Sequence, residues 1–129
     1  ISFEVTNNWM IEGFRNFIKV LLSDEQTFEV FIISNDDSTA YINKVALGLK
    51  IDAQHLFITN FPNDKLQAII DNNIDIHIDD LQSFTLQVNE LTENCHGILV
   101  TKNLNKYYLK PDYIIVFDRL LQQIKNESK

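Results

Sequence analysis

The sequence is poor in the residues that cross-link or interrupt a chain, with one cysteine, three glycines and two prolines in 129 residues. A lone Cys95 cannot form a disulfide within the chain, which excludes a disulfide-stapled fold and favours a reducing, cytoplasmic location. Three glycines leave no glycine-rich phosphate loop. No segment rich in glycine, serine or proline divides the chain, so we expect one domain over residues 1–125 and a flexible tail at residues 126–129.

Positive charge is also scarce, because 11 Lys and Arg residues oppose 18 Asp and Glu residues and the net charge is −7. Such a chain repels nucleic-acid phosphates and anionic membranes, and no basic stripe counters the repulsion, so neither is a predicted partner. No apolar run reaches the roughly 18 residues that a membrane span needs. The first residues lack the basic and apolar regions of a signal peptide.

The sequence does contain a regular alternation of short apolar runs with stripes of apolar residues at helical spacing. This alternation is typical of βαβ units, so we expect an α/β fold, a Rossmann-like three-layer sandwich with a mostly parallel central sheet. Predicted strands lie at residues 1–5, 28–33, 56–59, 74–78, 97–101 and 113–116. Predicted helices contain residues 9–22, 42–49, 66–70 and 81–91, and a last one follows Asp118.

Polar side chains follow several predicted strands, where ligands of parallel α/β sheets bind. Glu4 and Thr6 end the first strand, and Ser34 with Asn35 ends the second. Carboxylates suit Mg²⁺, whereas hydroxyl and amine groups hold phosphate oxygens. Each residue also has an ordinary explanation, because Asn and Asp after a strand commonly form turns or cap helices.

Two further features extend this polar set. Lys65 lies near the start of the helix that Pro62 opens, a position that solvated lysines commonly occupy. Asp79 and Asp80 follow an apolar strand directly, and this pair is the most specific signal, because two acids there are costly unless capped or bound to a ligand.

The ordered set of strand-end residues resembles the four motifs of the haloacid dehalogenase (HAD) phosphatase superfamily. Those motifs are an apolar strand before Asp-x-Asp-x-Thr, a strand ending in Ser or Thr, a helical Lys, and an apolar strand ending in paired acids. The matching segments are Phe3-Glu4-Val5-Thr6-Asn7-Asn8, Phe31-Ile32-Ile33-Ser34, Lys65 and Ile76-His77-Ile78-Asp79-Asp80. The resemblance implies a capless member whose first strand is central, between the strands that end at Ser34 and Asp79.

The resemblance also implies roles for these residues and shows where the pattern breaks. The family's nucleophilic Asp is Glu4 here, and its acid–base Asp is Thr6. A carboxylate moved outward by about 1.5 Å is displaced enough to cost on the order of 10²-fold in rate. Thr6 cannot exchange a proton near neutral pH, which costs about 10²–10⁴-fold. The implied Mg²⁺ ligands are Glu4, the Thr6 carbonyl, Asp79 and Asp80, and the implied phosphate ligands are Ser34, Asn35 and Lys65.

Two functions therefore stay open. The first is a HAD-like pseudoenzyme with impaired or absent phosphatase activity, which acts by binding phosphate, metal or a protein partner. The second is a Mg²⁺-dependent phosphomonoesterase in which Glu4 replaces the nucleophilic Asp, with Thr6 and Lys65 as further catalytic residues. The implied partners are a phosphorylated small molecule or a protein, including a second copy of the chain that serves as a cap in a homo-oligomer.

Other chemistry is disfavoured by position. Cys95 and His96 are adjacent on an extended segment and point to opposite faces, which is poor geometry for a nucleophile and its base. The three histidines lack metal-ligand spacing, and alternation predicts that His77 pairs with Asp75. A receiver-like signalling domain would need an Asp after the third strand, where Thr59 and Asn60 stand.

Overall fold

A five-stranded parallel sheet lies at the centre of the computed structural model, which describes residues 1–5, 13–35, 39–100 and 122. The strand order is β3-β2-β1-β4-β5, and every described pairing is parallel. The predicted α/β class and the predicted central position of the first strand are therefore confirmed. The strands are β1 (Ser2–Phe3), β2 (Phe31–Asn35), β3 (Leu56–Thr59), β4 (Ile76–Asp79) and β5 (His96–Leu99).

Four α-helices connect these strands in the described part of the chain. They are α1 (Phe14–Ser23), α2 (Thr39–Leu49), α3 (Pro62–Asp71) and α4 (Gln82–Leu91). Helix α3 begins with Pro62, whose missing N–H is not needed in a first helical turn. A 3₁₀ turn at Ala53–His55, which the sequence pattern did not predict, precedes β3. None of the helices among these residues has the length and apolarity to span a membrane.

The sheet has an apolar core on each face, as a Rossmann-like sandwich requires. Helices α1 and α2 contribute to one core and α3 and α4 to the other, because the first two connections run along the sheet in one direction and the last two in the opposite direction. Parallel strands covered on both faces are apolar on both sides, which explains the unbroken apolar run in β2. The first core includes Phe3, Phe14, Ile18, Ile32, Ile42 and Ile78, and the second includes Phe31, Ile33, Ile69, Phe84 and Val88.

The apolar runs of the sequence predict which residues are buried better than they predict where each strand begins and ends. The strand predicted at residues 28–33 begins only at Phe31, because the N–H groups of Thr27 and Phe28 donate to the Asp24 carbonyl in a turn after α1. Phe28 and Val30 are nevertheless buried. Four features of the sequence lie outside the described residues. They are the predicted strand at residues 113–116, the predicted helix after Asp118, the start of the first predicted helix, and the acids at residues 36–37.

The contact between β5 and α4 yields a prediction about a close approach. A Cβ added at Gly97 would come within 2.8 Å of the Thr85 carbonyl oxygen and 3.1 Å of its Cγ2. We expect Gly97→Ala to lower the free energy of unfolding by about 1–3 kcal/mol, as overpacking does. Gly48→Ala is the matched control, because nothing lies within 4 Å of the added Cβ and alanine favours a helix by about 1 kcal/mol. Equal urea midpoints for the two variants would contradict this.

Candidate functional site

The candidate site lies where the course of the chain along the sheet reverses. Strands β1 and β4 are neighbours, and their outgoing connections leave in opposite directions, which makes the gap between their carboxyl ends the binding position typical of open α/β sheets. Glu4 directly follows β1, and its N–H donates to the Ile78 carbonyl of β4 over 2.9 Å. Asp79 ends β4. The pairing of β1 with β4 therefore places both carboxylates at the carboxyl edge of the sheet.

Lys65 joins these two carboxylates. Its Nζ lies 2.7 Å from Glu4 Oε2 and 2.6 Å from Asp79 Oδ2. All three side chains are buried, with exposed fractions of 2% for Lys65 and 1% for each acid. The Phe84 ring lies under the ammonium group at 4.3 Å from its centroid. Lys65 is therefore an internal cation and not the solvated helix lysine that its position alone suggests.

The Glu4 carboxylate has two further donors, both from the end of β2. The Ser34 hydroxyl donates to Glu4 Oε1. The Asn35 N–H lies 3.3 Å from Oε1 and 3.2 Å from Oε2. The Val5 N–H donates to Ser34 Oγ over 3.2 Å. Since that bond uses Ser34 Oγ as an acceptor, the hydroxyl hydrogen is directed to Glu4.

Asp79 is connected to a second buried chain of hydrogen bonds. His77 Nε2 lies 2.8 Å from Asp79 Oδ2, and His77 Nδ1 lies 2.7 Å from Ser2 Oγ. The other oxygen, Asp79 Oδ1, accepts from the Leu81 N–H over 3.0 Å. The predicted pairing of His77 with Asp75 is therefore wrong. Alternation places both acids on the histidine's face, and the bonds go to Asp79 and to Ser2, which is in register with His77.

Ser2, His77 and Asp79 are the residue types of a nucleophilic triad, but this array is structural. A triad serine must reach a substrate carbonyl, whereas Ser2 has an exposed fraction of 0%. An ionised Asp79 can only accept hydrogen bonds, so the hydrogen of the 2.8 Å contact lies on His77 Nε2. The chain of hydrogen bonds thereby satisfies polar groups that water cannot reach.

The charges and hydrogen bonds of the network hold Lys65 and Asp79 in their ionised forms. Burial alone would lower the pKa of Lys65, but the charges of Asp79 and Glu4 and the hydrogen bonds to them outweigh it, so this pKa is raised. Burial likewise opposes an ionised Asp79, yet the hydrogen bond and charge of His77, followed by Lys65, hold the pKa of that carboxyl far below its ordinary value. At neutral pH one ammonium therefore lies between two acids.

The described residues do not fit a Mg²⁺ ion at the point between the two acids. Mg²⁺ requires oxygen ligands, and Lys65 Nζ already binds the two oxygens that face this point. The remaining oxygens of Glu4 and Asp79 accept from Ser34, Asn35 and Leu81. Within the described ranges, no group of three or more His, Cys, Asp or Glu side chains is arranged to hold a metal ion.

The structure brings together most of the residues singled out from the sequence. Glu4, Ser34, Lys65 and Asp79 meet, and Asn35 contributes its main-chain N–H to Glu4. Asp80 follows at the rim and is half-buried, and Thr6 lies outside the described residues. Sequence reasoning missed Ser2 and the role of His77. The available signal was the period of two along each strand, which places Ser2 with Glu4 and His77 with Asp79.

Comparison with known proteins finds no family model, no curated protein and no solved structure that matches this chain. The resemblance to the HAD superfamily therefore stays a prediction from sequence motifs.

Two other polar groups lie away from this site. Cys95 is buried, and its burial raises the pKa of the thiol to about 12, so it is not a thiolate at neutral pH. At the amino end of β3, His55 lies between two acids, with Nδ1 2.7 Å from Asp52 Oδ1 and Nε2 2.9 Å from Glu29 Oε1. The hydrogen bond to Asp52, together with that to Glu29, raises the pKa of His55.

The Lys65 bridge predicts a large loss of stability when its charge is removed. Lys65→Met keeps a long unbranched side chain but leaves Glu4 and Asp79 buried without a cation. We expect the free energy of unfolding to fall by about 3–5 kcal/mol. Lys44→Met, at an exposed position of α2, should change it by no more than about 0.5 kcal/mol. Similar guanidinium unfolding curves for the two variants would mean that the bridge contributes nothing.

The His55 contacts predict a stability that depends on pH. A raised histidine pKa adds stability that is fully present below the unfolded value of about 6.5 and is lost as pH rises through the folded value. The stability difference between the wild type and His55→Gln should therefore shrink as pH rises above about 6.5, and Glu29→Gln should weaken this trend. Chemical denaturation at several pH values tests it, and a difference that grows with pH would contradict it.

Proposed function

We propose that this chain is a HAD-like domain without effective phosphatase activity, which acts by binding a protein partner. The observation that carries the proposal is the Lys65 ammonium, bound to Glu4 and Asp79 in a buried network. In this arrangement the polar residues of the site stabilise one another and are not directed at a substrate.

The position of Glu4 supports the loss of catalysis. A nucleophilic carboxylate must direct a lone pair at phosphorus from an accessible position. Glu4 is 1% exposed, and its two oxygens accept hydrogen bonds from Ser34, Asn35 and Lys65. An attack by Glu4 would have to break these bonds first. Thr6, at the motif position of the acid–base residue, offers no group that exchanges protons near neutral pH.

The apolar rim of the site supports a protein partner. Phe61 and Leu81 precede α3 and α4 at the carboxyl edge of the sheet, with exposed fractions of 65% and 48%. Contiguous exposed apolar patches with polar rims mark interaction surfaces, and two exposed apolar side chains at one edge of the sheet would contribute to such a patch. A partner protein or a second copy of the chain that covers this edge would bury both. The net charge of −7 disfavours nucleic acid there.

The convergence of Glu4, Ser34, Lys65 and Asp79 favours a second candidate, a Mg²⁺-dependent phosphomonoesterase that uses Glu4 as nucleophile. In that case Ser34, Asn35 and Lys65 would bind the phosphoryl oxygens. Glu4, the Thr6 carbonyl, Asp79 and Asp80 would hold a Mg²⁺ ion, which would supply Lewis-acid chemistry. Lys65 would have to leave the point between the two acids to admit the ion. That rearrangement is what makes this candidate the weaker one.

Turnover of p-nitrophenyl phosphate with Mg²⁺ separates the two candidates. We expect no turnover by the unmodified chain and measurable turnover by the double variant Glu4→Asp/Thr6→Asp. Each single variant should show much lower turnover than the double variant, because a nucleophile and its proton donor act as a unit. Adding Asp79→Asn to the double variant should abolish the rescue. Robust turnover by the unmodified chain, lost in Glu4→Gln, would show that it is the phosphomonoesterase.

A further inference from the structure

The groups that donate hydrogen bonds to Glu4 are of the kinds that bind oxyanions. They are a hydroxyl from Ser34, a main-chain N–H from Asn35 and an ammonium from Lys65. Groups of this kind bind phosphate and carboxylate through charge-assisted hydrogen bonds. In this chain all three converge on one carboxylate that the protein itself supplies.

We infer that Glu4 is a built-in ligand, whose carboxylate fills as an internal anion an oxyanion site formed by Ser34 Oγ, the Asn35 N–H and Lys65 Nζ. The site is closed to free anions because its occupant is a side chain of the protein itself, at the residue that follows β1. Once the Glu4 side chain is removed, the site should accept a small exogenous oxyanion such as inorganic phosphate. This inference deepens the proposed function, since it gives the reason why the site does not take a phosphorylated substrate.

The donors are held in place by groups other than Glu4. Ser34 and Asn35 pair with β3, opposite Ile58 and Thr59, and the Thr59 hydroxyl donates to the Ser34 carbonyl over 3.3 Å. The Val5 N–H orients the Ser34 hydroxyl. Removing the Glu4 side chain therefore leaves the β2 part of the donor set in position.

Lys65 is anchored in the same way. Its Nζ lies 2.6 Å from Asp79 Oδ2 and 4.3 Å from the centroid of the Phe84 ring, and neither contact involves Glu4. Asp79 is in turn held by His77 and Leu81. An ammonium group thus stays directed at the vacated volume, and it supplies the charge that an incoming anion needs.

The length of the side chain explains why glutamate suits this role. An aspartate carboxylate would lie about 1.5 Å, one methylene, nearer to β1. Glutamate extends far enough for its carboxylate to accept from Ser34 and Asn35 on the neighbouring strand while it also reaches Lys65. The residue at position 4 therefore fits an occupant of the anion site better than it fits a nucleophile facing that site.

Anion binding by position-4 variants tests the inference without Mg²⁺ and without turnover. Binding of inorganic phosphate is measured by isothermal titration calorimetry and ³¹P NMR for the wild type, Glu4→Ala, Glu4→Gln and the distant control Glu29→Ala. We expect Glu4→Ala to bind phosphate at least tenfold more tightly than the other three. Glutamine keeps the site filled, so Glu4→Gln is the matched control. Ser34→Ala added to Glu4→Ala should weaken phosphate binding about tenfold.

Stability supplies a second readout. Phosphate or acetate should raise the Tm of Glu4→Ala and leave that of the wild type unchanged, because a ligand that binds only the native state stabilises it. If Glu4→Ala folds only in the presence of either anion, that rescue supports the inference as directly as a binding isotherm.

Two results would overturn the inference. One is a Glu4→Ala variant that binds neither anion and gains no stability from them. The other is a wild type that binds phosphate as tightly as Glu4→Ala. Neither result bears on phosphatase activity. Turnover by the unmodified chain would contradict the proposed function, whereas a failure of Glu4→Ala to bind anions would contradict only the inference that Glu4 is a built-in ligand.

Discussion

One ammonium group is the centre on which this site depends. Lys65 Nζ lies between Glu4 and Asp79 at hydrogen-bonding distance, in a region that water does not reach. A buried carboxylate without a cation costs several kcal/mol, so Glu4 and Asp79 are stable in the interior only because Lys65 lies between them. One atom thereby ties α3 to β1 and β4, the two strands at the middle of the sheet.

The hydrogen bonds around this centre account for a polar interior within an otherwise apolar sheet. Besides Lys65, Ser34 and Asn35 donate hydrogen bonds to the Glu4 carboxylate, and His77 and Leu81 form hydrogen bonds with the Asp79 carboxylate. A polar network in a dry interior stabilises a single arrangement only when every member has a partner. The same completeness closes the site, since lone pairs that already accept from the protein are not directed at a substrate. The structural order of the site and the proposed loss of catalysis would then be two results of one arrangement.

Much of the fold was predictable because hydrophobic periodicity is a local property. The strand at residues 56–59 and the start of a helix at Pro62 follow directly from the pattern. Predictions failed where tertiary contacts decide. The apolar residues of the run that begins at Phe28 are all buried, but turn bonds to Asp24 delay the strand to Phe31. His77 has an acid two residues away on either side, and the pattern does not distinguish Asp75 from Asp79.

The sequence by itself determined that strands and helices alternate, that the sheet is parallel and apolar on both faces, and which strand ends carry polar residues. It also placed a lysine near the start of α3, where the ordinary expectation is a solvated side chain. Only the tertiary structure decided that Lys65 is buried between Glu4 and Asp79. These partners lie 61 and 14 residues away, and their distances depend on the strand order and on how α3 packs over the sheet. The physical reason is that periodicity reports which face a side chain is on, whereas an ion pair depends on angstrom-scale distances between elements.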